Sequence, residues 1–381
     1  MSEGGVLVWV QHLLGTGHLH RAMAIAEAVG RKGVSVMIAA GGPGIADGLS
    51  RGVRLRALPA IRAQDAASFA LIDDSGQPVP PSLWRARARA LVQWVEELRP
   101  EVVVTEMYPF GRGAFHDEID TMLTCARRVR PTVMAVASVR DILVSKDEAR
   151  RARMVERFNA NFDRLLVHGD ARLVPFRATF APVDALRVKP EHTGYVVRPV
   201  APTSGPRAGV VVSAGGGAVG ARLIDAALAA RPLCSAAGEP WTIVAGRRAD
   251  PAQVGAWRKM AVGDVTVLGS VDDLPERIGA AKLAISQAGY NTVAETLMVG
   301  TPAVLVPFET AREDEQSVRA RHVERLGRAQ FLHERILEPA TLAAAIDRAL
   351  TLPYGTPELA FDGAERSADI LAAMATGSDD E

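Results

Sequence analysis

Short runs of β-branched and other apolar residues alternate along this chain with longer segments whose apolar positions recur at helical spacing. This alternation is typical of parallel β-sheets whose strands are connected by helices. In the first half it predicts strands at Val6–Val10, Val34–Ala39, Val53–Ala57, Val102–Thr105, Val133–Ala137 and Leu165–Val167. In the second half it predicts strands at Gly209–Ser213, Trp241–Ala245, Val265–Leu268, Leu283–Ser286 and Ala303–Val306. The pattern therefore indicates an α/β protein.

A stretch rich in Pro, Gly and Ser, Arg198–Arg207, lies between the two halves and has the composition of a linker. We therefore predict two Rossmann-like domains, at residues 1–198 and 209–363, joined by a linker at 199–208. Residues 364–381 are predicted to form a C-terminal helix and a short acidic tail. A chain of 381 residues is long enough for each domain to bury its own core.

The segment Asp65–Pro81 shows neither helical nor strand periodicity and contains Gly76 and several prolines. We expect a long loop there, because aperiodic segments of this length are usually functional lids or disordered. A helix is predicted to follow at Leu83–Leu98.

Charge and cysteine content narrow the classes of function. The chain has 44 basic and 44 acidic residues, so no overall field favours nucleic acid or an anionic membrane. Cys125 and Cys234 lie in opposite halves and indicate neither a disulfide framework nor a metal site. No apolar run approaches the roughly 18 residues that span a bilayer. We expect a cytoplasmic protein without a transmembrane segment, and leave peripheral membrane contact and oligomeric state open.

A glycine-rich turn, Gly15-Thr16-Gly17, follows the first predicted strand and leads into a helix at His18. Ligands bind at this edge of open α/β sheets. The positive end of the helix lowers the pKa of an imidazole, so His18 is suited to act as a general base. The alternative is that His18 only caps the helix.

Two further loops carry acidic or aromatic side chains that we expect at the rim of the same crevice. Glu106 and Tyr108 follow one buried strand, and Asp141 follows the next. Either carboxylate could orient His18 and fix its tautomer. Each could equally pair with a neighbouring arginine.

The second half contains two turns suited to an anionic ligand. Ser213–Gly220 is rich in glycine, and its backbone N–H groups can cradle a diphosphate. It lacks the lysine of a P-loop, so ATP hydrolysis is not indicated. A second turn, centred on Gly289, opens a helix that carries Glu295, whose carboxylate can accept hydrogen bonds from a ribose diol. Alternatively, Glu295 only complements the helix dipole.

The segment from Ser286 to Gln316 resembles the nucleotide-sugar signature of two-domain, GT-B-type glycosyltransferases, in particular family 28, which contains the N-acetylglucosaminyltransferase of peptidoglycan synthesis. The resemblance is carried by Gly289, Thr292, Val293, Glu295, Gly300-Thr301-Pro302, Val306-Pro307-Phe308 and Gln316. It implies two domains facing across a cleft, with the donor in the C-terminal domain and the acceptor in the N-terminal one. It also implies that the C-terminal helix packs on the N-terminal domain.

The same resemblance implies roles for individual residues. Glu295 would bind the donor ribose and Gln316 the donor sugar, whose identity stays open because Glu315 replaces a glutamine of the family's pair. The other donor-side positions would be Arg198, Gly216, Gly217, Val271, Gly289, Asn291 and Thr292. The acceptor side would comprise Gly15, Thr16 and Gly17, together with Tyr108 and Asp141.

Together with the resemblance, these observations predict a glycosyltransferase that inverts the anomeric configuration and needs no metal or tightly bound cofactor. The resemblance implies that its co-substrate is a UDP-sugar. His18 would be the base and Glu106 its partner. Gln11–Gly15 and Thr105–Gly111 are similar to segments of a group of bacterial proteins classed as glycosyltransferases.

Two other functions remain open. The run from Gly15 to His18 and Arg21 also resembles the nucleotide-sugar hydrolases of pseudaminic-acid biosynthesis, in which the histidine would help activate water. A non-catalytic nucleotide-sugar-binding protein would keep Glu295 and need no base.

Overall fold

The computed structural model describes residues 4–13, 15–50, 52–64, 70–201, 205–215, 220–309 and 314–377. The chain forms two compact units. Unit 1 comprises Met1–Ala171, Pro175–Val196 and Asp362–Glu381, and unit 2 comprises Arg172–Val174 and Val197–Phe361. The predicted linker at 199–208 therefore falls within unit 2.

Unit 1 is built on a largely parallel sheet in the order β10-β9-β8-β7-β1-β2-β4-β3, in which only the β3–β4 pair is antiparallel. Its strands are β1 (Val6–Gln11), β2 (Val36–Gly41), β3 (Gly48–Ser50), β4 (Val53–Ala57), β5 (Arg62–Ala63), β6 (Leu71–Ile72), β7 (Val102–Glu106), β8 (Met134–Arg140), β9 (Arg164–His168) and β10 (Glu191–His192). Strands β5 and β6 form a separate antiparallel pair.

The helices of unit 1 cover both faces of this sheet, which explains why its central strands are apolar on both sides. They are α1 (Gly17–Arg31), α2 (Pro81–Leu98), α3 (His116–Val129) and α4 (Glu148–Asn161), with 3₁₀ turns at Gly113–Phe115, Phe176–Ala178 and Ala181–Ala185. The buried face of α1 includes Ala22, Ile25, Ala26 and Val29, a spacing that places them on one side of a helix.

Unit 2 contains a fully parallel sheet in the order β13-β12-β11-β14-β15-β16. Its strands are β11 (Val210–Ser213), β12 (Trp241–Val244), β13 (Val265–Leu268), β14 (Leu283–Ser286), β15 (Ala303–Leu305) and β16 (Ala329–Phe331). Its helices are α5 (Ala221–Ala230), α6 (Pro251–Met260), α7 (Leu274–Ala280), α8 (Tyr290–Val299), α9 (Glu315–Arg325) and α10 (Pro339–Ala349), with 3₁₀ turns at Arg231–Leu233 and Glu334–Ile336.

The last helix, α11 (Gly363–Thr376), belongs to unit 1 although all of β11 to α10 precedes it in the sequence. Its buried side chains Ala368, Leu371 and Met374 join the apolar cluster formed by α1 and the sheet. No side chain fits at Gly363, because a Cβ there would meet the backbone of Gly194. The start of α11 is therefore held tightly against the segment that follows β10.

All the strands predicted from the sequence overlap observed strands, and α2 begins at Pro81, where proline is favoured in the first helical turn. The prediction of a structureless Asp65–Pro81 loop is wrong at Leu71–Ile72, which forms β6, while residues 65–69 lie outside the described residues. The carboxylate of Asp73 then accepts hydrogen bonds from the N–H groups of Ser75 (2.9 Å) and Gln77 (3.0 Å), which closes an Asx turn.

Candidate functional site

In each sheet the strand order reverses at one place, and ligands of open α/β sheets bind outside the carboxyl ends of the strands there. In unit 1 the reversal lies between β1 and β7, and in unit 2 it lies between β11 and β14. The loops after these four strands carry most of the residues singled out by the sequence. Each unit therefore has one candidate site, and we describe the two separately.

In unit 1, His18 and Glu106 form a hydrogen-bonded pair. His18 lies in the first turn of α1, and its Nδ1 atom is 2.9 Å from Oε1 of Glu106, the last residue of β7. The His18 side chain is 16% exposed, whereas Glu106 is 2% exposed. Arg21, one helical turn after His18, donates a hydrogen bond to the same Oε1 atom and lies 3.0 Å from Nδ1.

Electrostatics favours a neutral histidine beside an ionised glutamate. Burial, followed by the charge of Arg112, lowers the pKa of His18 to about 3, and the hydrogen bond to Glu106 only partly offsets this. Burial of Glu106 opposes its ionisation, but the charge of Arg21 and the hydrogen bond with His18 bring the pKa of this carboxyl below its usual value. An ionised carboxylate can only accept, so the Nδ1–H of His18 donates to it. The lone pair of Nε2 is then the basic position.

The structure separates the two carboxylates that the sequence left as alternatives. Glu106 is within hydrogen-bonding distance of His18, whereas the buried carboxylate of Asp141 accepts a hydrogen bond from the N–H of Ile142 at 2.9 Å. Gly15 and Thr16 are exposed in the turn before α1, and Gly17 is the first residue of that helix. The glycine-rich turn therefore lies beside His18, as the sequence predicts for the start of α1.

The prediction that Tyr108 lies at the rim of a crevice is wrong. Its side chain is fully buried in unit 1, packs against Phe162 and donates a hydrogen bond from its hydroxyl to Oδ1 of Asp120 at 2.9 Å. Burial, followed by the charge of Asp120, raises the pKa of the phenol. Tyr108 is therefore a core residue.

A buried polar network that the sequence did not reveal holds the end of β1. Arg87 on α2 is fully buried, donates to both carboxylate oxygens of Glu118 at 2.7 Å, and donates to Oε1 of Gln11 at 2.9 Å. Gln11 in turn donates to the carbonyls of His12 and Ile61, each at 2.8 Å. The one signal in the sequence is that Arg87 interrupts the apolar stripe of α2. This network fixes the backbone from which the glycine-rich turn departs.

In unit 2, the turn after β14 leaves open space at the start of α8. Gly289 is the N-cap residue with φ −64° and ψ 150°, a conformation open to any residue, and a Cβ there would meet no atom within 4 Å. The fold itself therefore does not require a glycine at this position. Asn291 and Thr292, in the first turn of α8, are half-buried. The N–H groups in the first turn of a helix have no carbonyl partner within that helix, which makes a helix start a suitable place for an anionic ligand.

Glu295 lies one turn into α8 and is half-buried. Burial raises the pKa of its carboxyl to about 7, while the charge of Arg198 acts in the opposite direction and that of Glu276 adds to the rise. Arg198 donates to Oε2 of Glu276 at 2.7 Å and to the carbonyl of Asp272 at 3.4 Å. Val271, which follows β13, is half-buried in the segment just before Asp272.

The glycine-rich turn after β11 is described only in part. Gly215 has φ +73°, a left-handed conformation that favours glycine, and its N–H lies 3.4 Å from Oγ of Ser213. The predicted diphosphate residues Gly216 and Gly217 lie outside the described residues.

Gln316 connects two loops of unit 2. Its side-chain carbonyl accepts hydrogen bonds from the N–H groups of Ala288 and Phe308, each at 3.1 Å. The amide nitrogen of the same side chain takes no part in these two hydrogen bonds. Glu315 is the first residue of α9, where a carboxylate complements the helix dipole. Arg319, which the sequence did not single out, is fully buried and donates to the carbonyl of Ala288 at 2.8 Å.

The described residues contain neither a metal-binding cluster nor a membrane-spanning helix. No group of three or more His, Cys, Asp and Glu side chains within them is arranged to hold a metal ion. Among the same residues, no helix combines the length and the apolar character needed to cross a membrane.

Comparison with known proteins defines the class and then the family. The chain shares its fold with MurG of Acinetobacter baumannii (TM-score 0.59, 16% identity, covering 96% of this chain and 99% of that one), so the two parallel-sheet domains have the GT-B fold. Residues 211–355 match the family model described as the glycosyltransferase family 28 C-terminal domain.

Two curated relatives match this chain over different lengths. The UDP-N-acetylglucosamine--N-acetylmuramyl-(pentapeptide) pyrophosphoryl-undecaprenol N-acetylglucosamine transferase of Rhodospirillum rubrum is 30% identical over 299 residues, which cover 74% of this chain and 70% of that protein. The protein of the same name from Paramagnetospirillum magneticum is 34% identical over 119 residues, only 29% of this chain and 32% of that protein. The chain belongs to glycosyltransferase family 28. The fold class and the family predicted from the motifs are both confirmed.

Proposed function

We propose that this protein transfers a sugar from a nucleoside-diphosphate sugar to a hydroxyl group of an acceptor, with inversion and without a metal ion. Membership of family 28 supports sugar transfer in general. The relatives are named for transfer from UDP-N-acetylglucosamine, which supports a uridine nucleotide as the co-substrate here. The transferred sugar stays open, because Glu315 stands where the family has the first glutamine of a pair.

The observation that carries this proposal is the pair formed by His18 and Glu106. A protein that only binds nucleotide sugars needs no base, whereas an acceptor hydroxyl must lose its proton as it attacks the anomeric carbon. The low pKa of His18 keeps its ring unprotonated, and the carboxylate of Glu106 stabilises the imidazolium that forms when Nε2 takes the proton.

The donor is proposed to bind to unit 2. Its ribose hydroxyls would donate to Glu295, and its diphosphate would lie at the start of α8, where the open space at Gly289 allows close approach of the backbone. The N–H groups there would stabilise the charge that develops on the leaving diphosphate. The acceptor would bind to unit 1, near His18. Among the described residues, His18 is the one assigned base, and the carboxylate of Glu295 is assigned to the ribose rather than to the anomeric carbon. This assignment favours a single displacement, which inverts the anomeric centre.

The test is an assay of the full chain with a panel of uridine and other nucleoside diphosphate sugars, with and without a bacterial lipid extract as the source of acceptors. We expect release of nucleoside diphosphate that depends on the extract, together with a sugar-bearing product of inverted configuration. Free sugar released at the same rate without the extract would instead identify a hydrolase. Binding of a nucleotide sugar without any turnover would instead identify a non-catalytic nucleotide-sugar-binding protein.

A further inference from the structure

A second buried histidine, His168, is connected to the His18–Glu106 pair through one serine. Ser138 lies opposite Glu106 in the register of β8 with β7, and His168 ends the next strand, β9. The hydroxyl of Ser138 is 2.7 Å from Oε2 of Glu106 and 2.8 Å from Nε2 of His168. Ser138 is 3% exposed and His168 is 0% exposed, so water does not compete for these bonds.

The chemistry of the partners sets the direction of each hydrogen bond. Glu106 is ionised and can only accept, so the hydroxyl hydrogen of Ser138 is donated to Oε2. The oxygen of Ser138 therefore accepts a hydrogen bond from Nε2–H of His168. Burial, followed by the charge of Arg21, lowers the pKa of His168 to about 3, so its ring is neutral and Nδ1 carries a lone pair. That lone pair accepts from the hydroxyl of Thr193 at 2.9 Å.

The C-terminal helix closes the remaining side of His168. Ser367 on α11 donates to the carbonyl of Gly363 at 2.6 Å, and its oxygen lies 3.5 Å from Nδ1 of His168. Ser367 is itself fully buried. The row of hydrogen bonds from Thr193 to Glu106 is therefore enclosed by α11 and by strands β7, β8 and β9.

This row matters because two tautomers of His18 compete. With Nδ1–H, the ring donates to Glu106 and keeps Nε2 as a base. With Nε2–H, the bare Nδ1 would accept from Arg21, whose guanidinium lies 3.0 Å away, and the basic position would be lost. If only Arg21 held the carboxylate of Glu106, this carboxylate could rotate about its Cγ–Cδ bond. The rotation would weaken the hydrogen bond from Nδ1–H of His18. A carboxylate anchored at Oε2 keeps Oε1 directed at His18.

We infer that Ser138 and His168 are positioning residues that anchor Glu106 and thereby hold His18 as the Nδ1–H tautomer. The consequence for catalysis rests on the proposed function, but the tautomer itself is a property of the folded protein. The competing explanation is that His168 is only a satisfied core histidine, in which case its loss would lower stability and leave the tautomer of His18 unchanged.

The experiment measures the tautomer of His18 by two-bond ¹⁵N–¹H correlation NMR on full-length, ¹⁵N-histidine-labelled protein at pH 7, with His18→Ala used to assign the signal. In the wild type we expect Nδ1–H. In Ser138→Ala and in His168→Leu we expect the ratio of Nδ1–H to Nε2–H to fall at least about tenfold, comparable to the effect of outer partners on ligating histidines. His168→Gln, whose amide N–H can replace the Nε2–H donor, should restore the wild-type ratio.

Ser82→Ala, at an exposed serine in the first turn of α2, is the matched control and should keep the wild-type ratio. If one buried variant fails to fold, the other still decides, because Ser138→Ala removes the donor to Glu106 and His168→Leu removes the group that orients this donor. An unchanged tautomer in a folded Ser138→Ala or His168→Leu protein would overturn the inference. A protein without transferase activity that shows the expected tautomer shift would contradict only the proposed function. An active enzyme whose kcat falls in both variants with no tautomer shift would contradict only the inference.

Discussion

Arg198 donates a hydrogen bond of 2.7 Å to Glu276, and these two side chains act in opposite senses on the carboxyl of Glu295. The charge of Arg198 favours ionisation of Glu295, and the charge of Glu276 opposes it. Because the two influences oppose each other, burial decides the outcome and brings the pKa of Glu295 to about 7. The carboxyl of Glu295, which we propose accepts hydrogen bonds from the ribose, therefore changes charge near neutral pH.

The first prediction concerns stability. The pKa of Glu295 is raised from 4.5 to about 7 in the folded protein, so between these values the folded chain binds more protons than the unfolded one. The free energy of unfolding therefore falls as the pH rises through this window. Glu295→Gln removes this loss. As the pH rises from 4.5 to 8, we expect the free energy of unfolding of the variant to increase by roughly 1–3 kcal/mol relative to that of the wild type. The value is below that of the full pKa shift, because the side chain is partly exposed and solvent screens part of the penalty.

Urea unfolding of both full-length proteins at several pH values measures this difference. Glu358→Gln, at an exposed glutamate of the same unit, is the control and should follow the wild-type curve. Curves for wild type and Glu295→Gln that run parallel across the window would contradict the raised pKa.

The second prediction concerns the donor. If Glu295 accepts hydrogen bonds from the ribose, Glu295→Ala should weaken binding of uridine diphosphate by about 1.5–3 kcal/mol, typical of a hydrogen bond to a charged group. Calorimetry at pH 8 measures the loss, with Glu358→Ala as the matched control. A deoxyribose analogue should bind the variant and the wild type about equally. Unchanged affinity for the ordinary nucleotide would remove Glu295 from the site.

The third prediction concerns the base. His18→Ala should lower turnover by about 10²–10⁴-fold, the usual effect of losing a general base, and should leave nucleotide affinity nearly unchanged. His20→Ala is the matched control, because His20 is an exposed histidine on the same helix. Rate measurements at saturating donor compare the two. Wild-type turnover in His18→Ala, or retained anomeric configuration in the product, would refute the proposed mechanism.

The fourth prediction concerns pH dependence. Since the pKa of His18 is about 3, its ring is already in the basic form well below neutral pH. At saturating donor, kcat should therefore stay flat between pH 5 and pH 8, while donor affinity should fall below pH 7 as Glu295 becomes protonated. Glu295→Gln should lose the pH dependence of donor affinity. An acidic limb in kcat near pH 6.5 that persists in Glu295→Gln would show that the base has an ordinary histidine pKa.

The fifth prediction separates two roles of Gln316. Its carbonyl oxygen holds the N–H groups of Ala288 and Phe308, so Gln316→Ala should cost about 1–3 kcal/mol in the free energy of unfolding. Gln316→Glu keeps the acceptor and should stay close to wild type in stability. It loses the N–H donor, so affinity for the nucleotide sugar should fall toward that of the bare diphosphate. A Gln316→Glu protein that binds both ligands as the wild type does would exclude a role in sugar binding.

The buried strands were predictable because β-branched apolar runs between glycine-rich turns define them. The short strands β3, β5, β6, β10 and β16 were not predictable, since none of them contains three apolar residues, whereas the equally short β15 does. The strand pattern alone did not distinguish Glu106 from Asp141 as the partner of His18, as each comes at the end of a buried strand. Their difference depends on register: Glu106 is the last residue of β7, in register with Ser138, whereas Asp141 lies one residue beyond β8.

The other differences between prediction and structure concern side chains whose hydrogen-bond partners lie far away in the sequence. The sequence placed Tyr108 at the rim of the crevice. Its hydroxyl instead donates a hydrogen bond to Asp120 on α3, and its side chain is buried in the core. Arg87 and Glu118 are charged residues that hydropathy places on the surface. Hydrogen bonds to each other, to Gln11 and to the indole of Trp9 allow both to be buried. The partners of His168 are likewise spread over β8, the segment after β10 and α11.

Because α11 follows unit 2 in the sequence, it is synthesised after every other element of unit 1. The other elements therefore leave the ribosome before the helix that packs on α1. Until then the apolar side chains Ala22, Ile25 and Val29 lack part of their final cover, and His168 lacks the neighbouring Ser367. Unit 2 has no such dependence on later sequence. Synthesis from the N-terminus therefore allows unit 2 to fold before unit 1 is complete. Unit 1, which contains His18, completes its fold only after α11 has been translated.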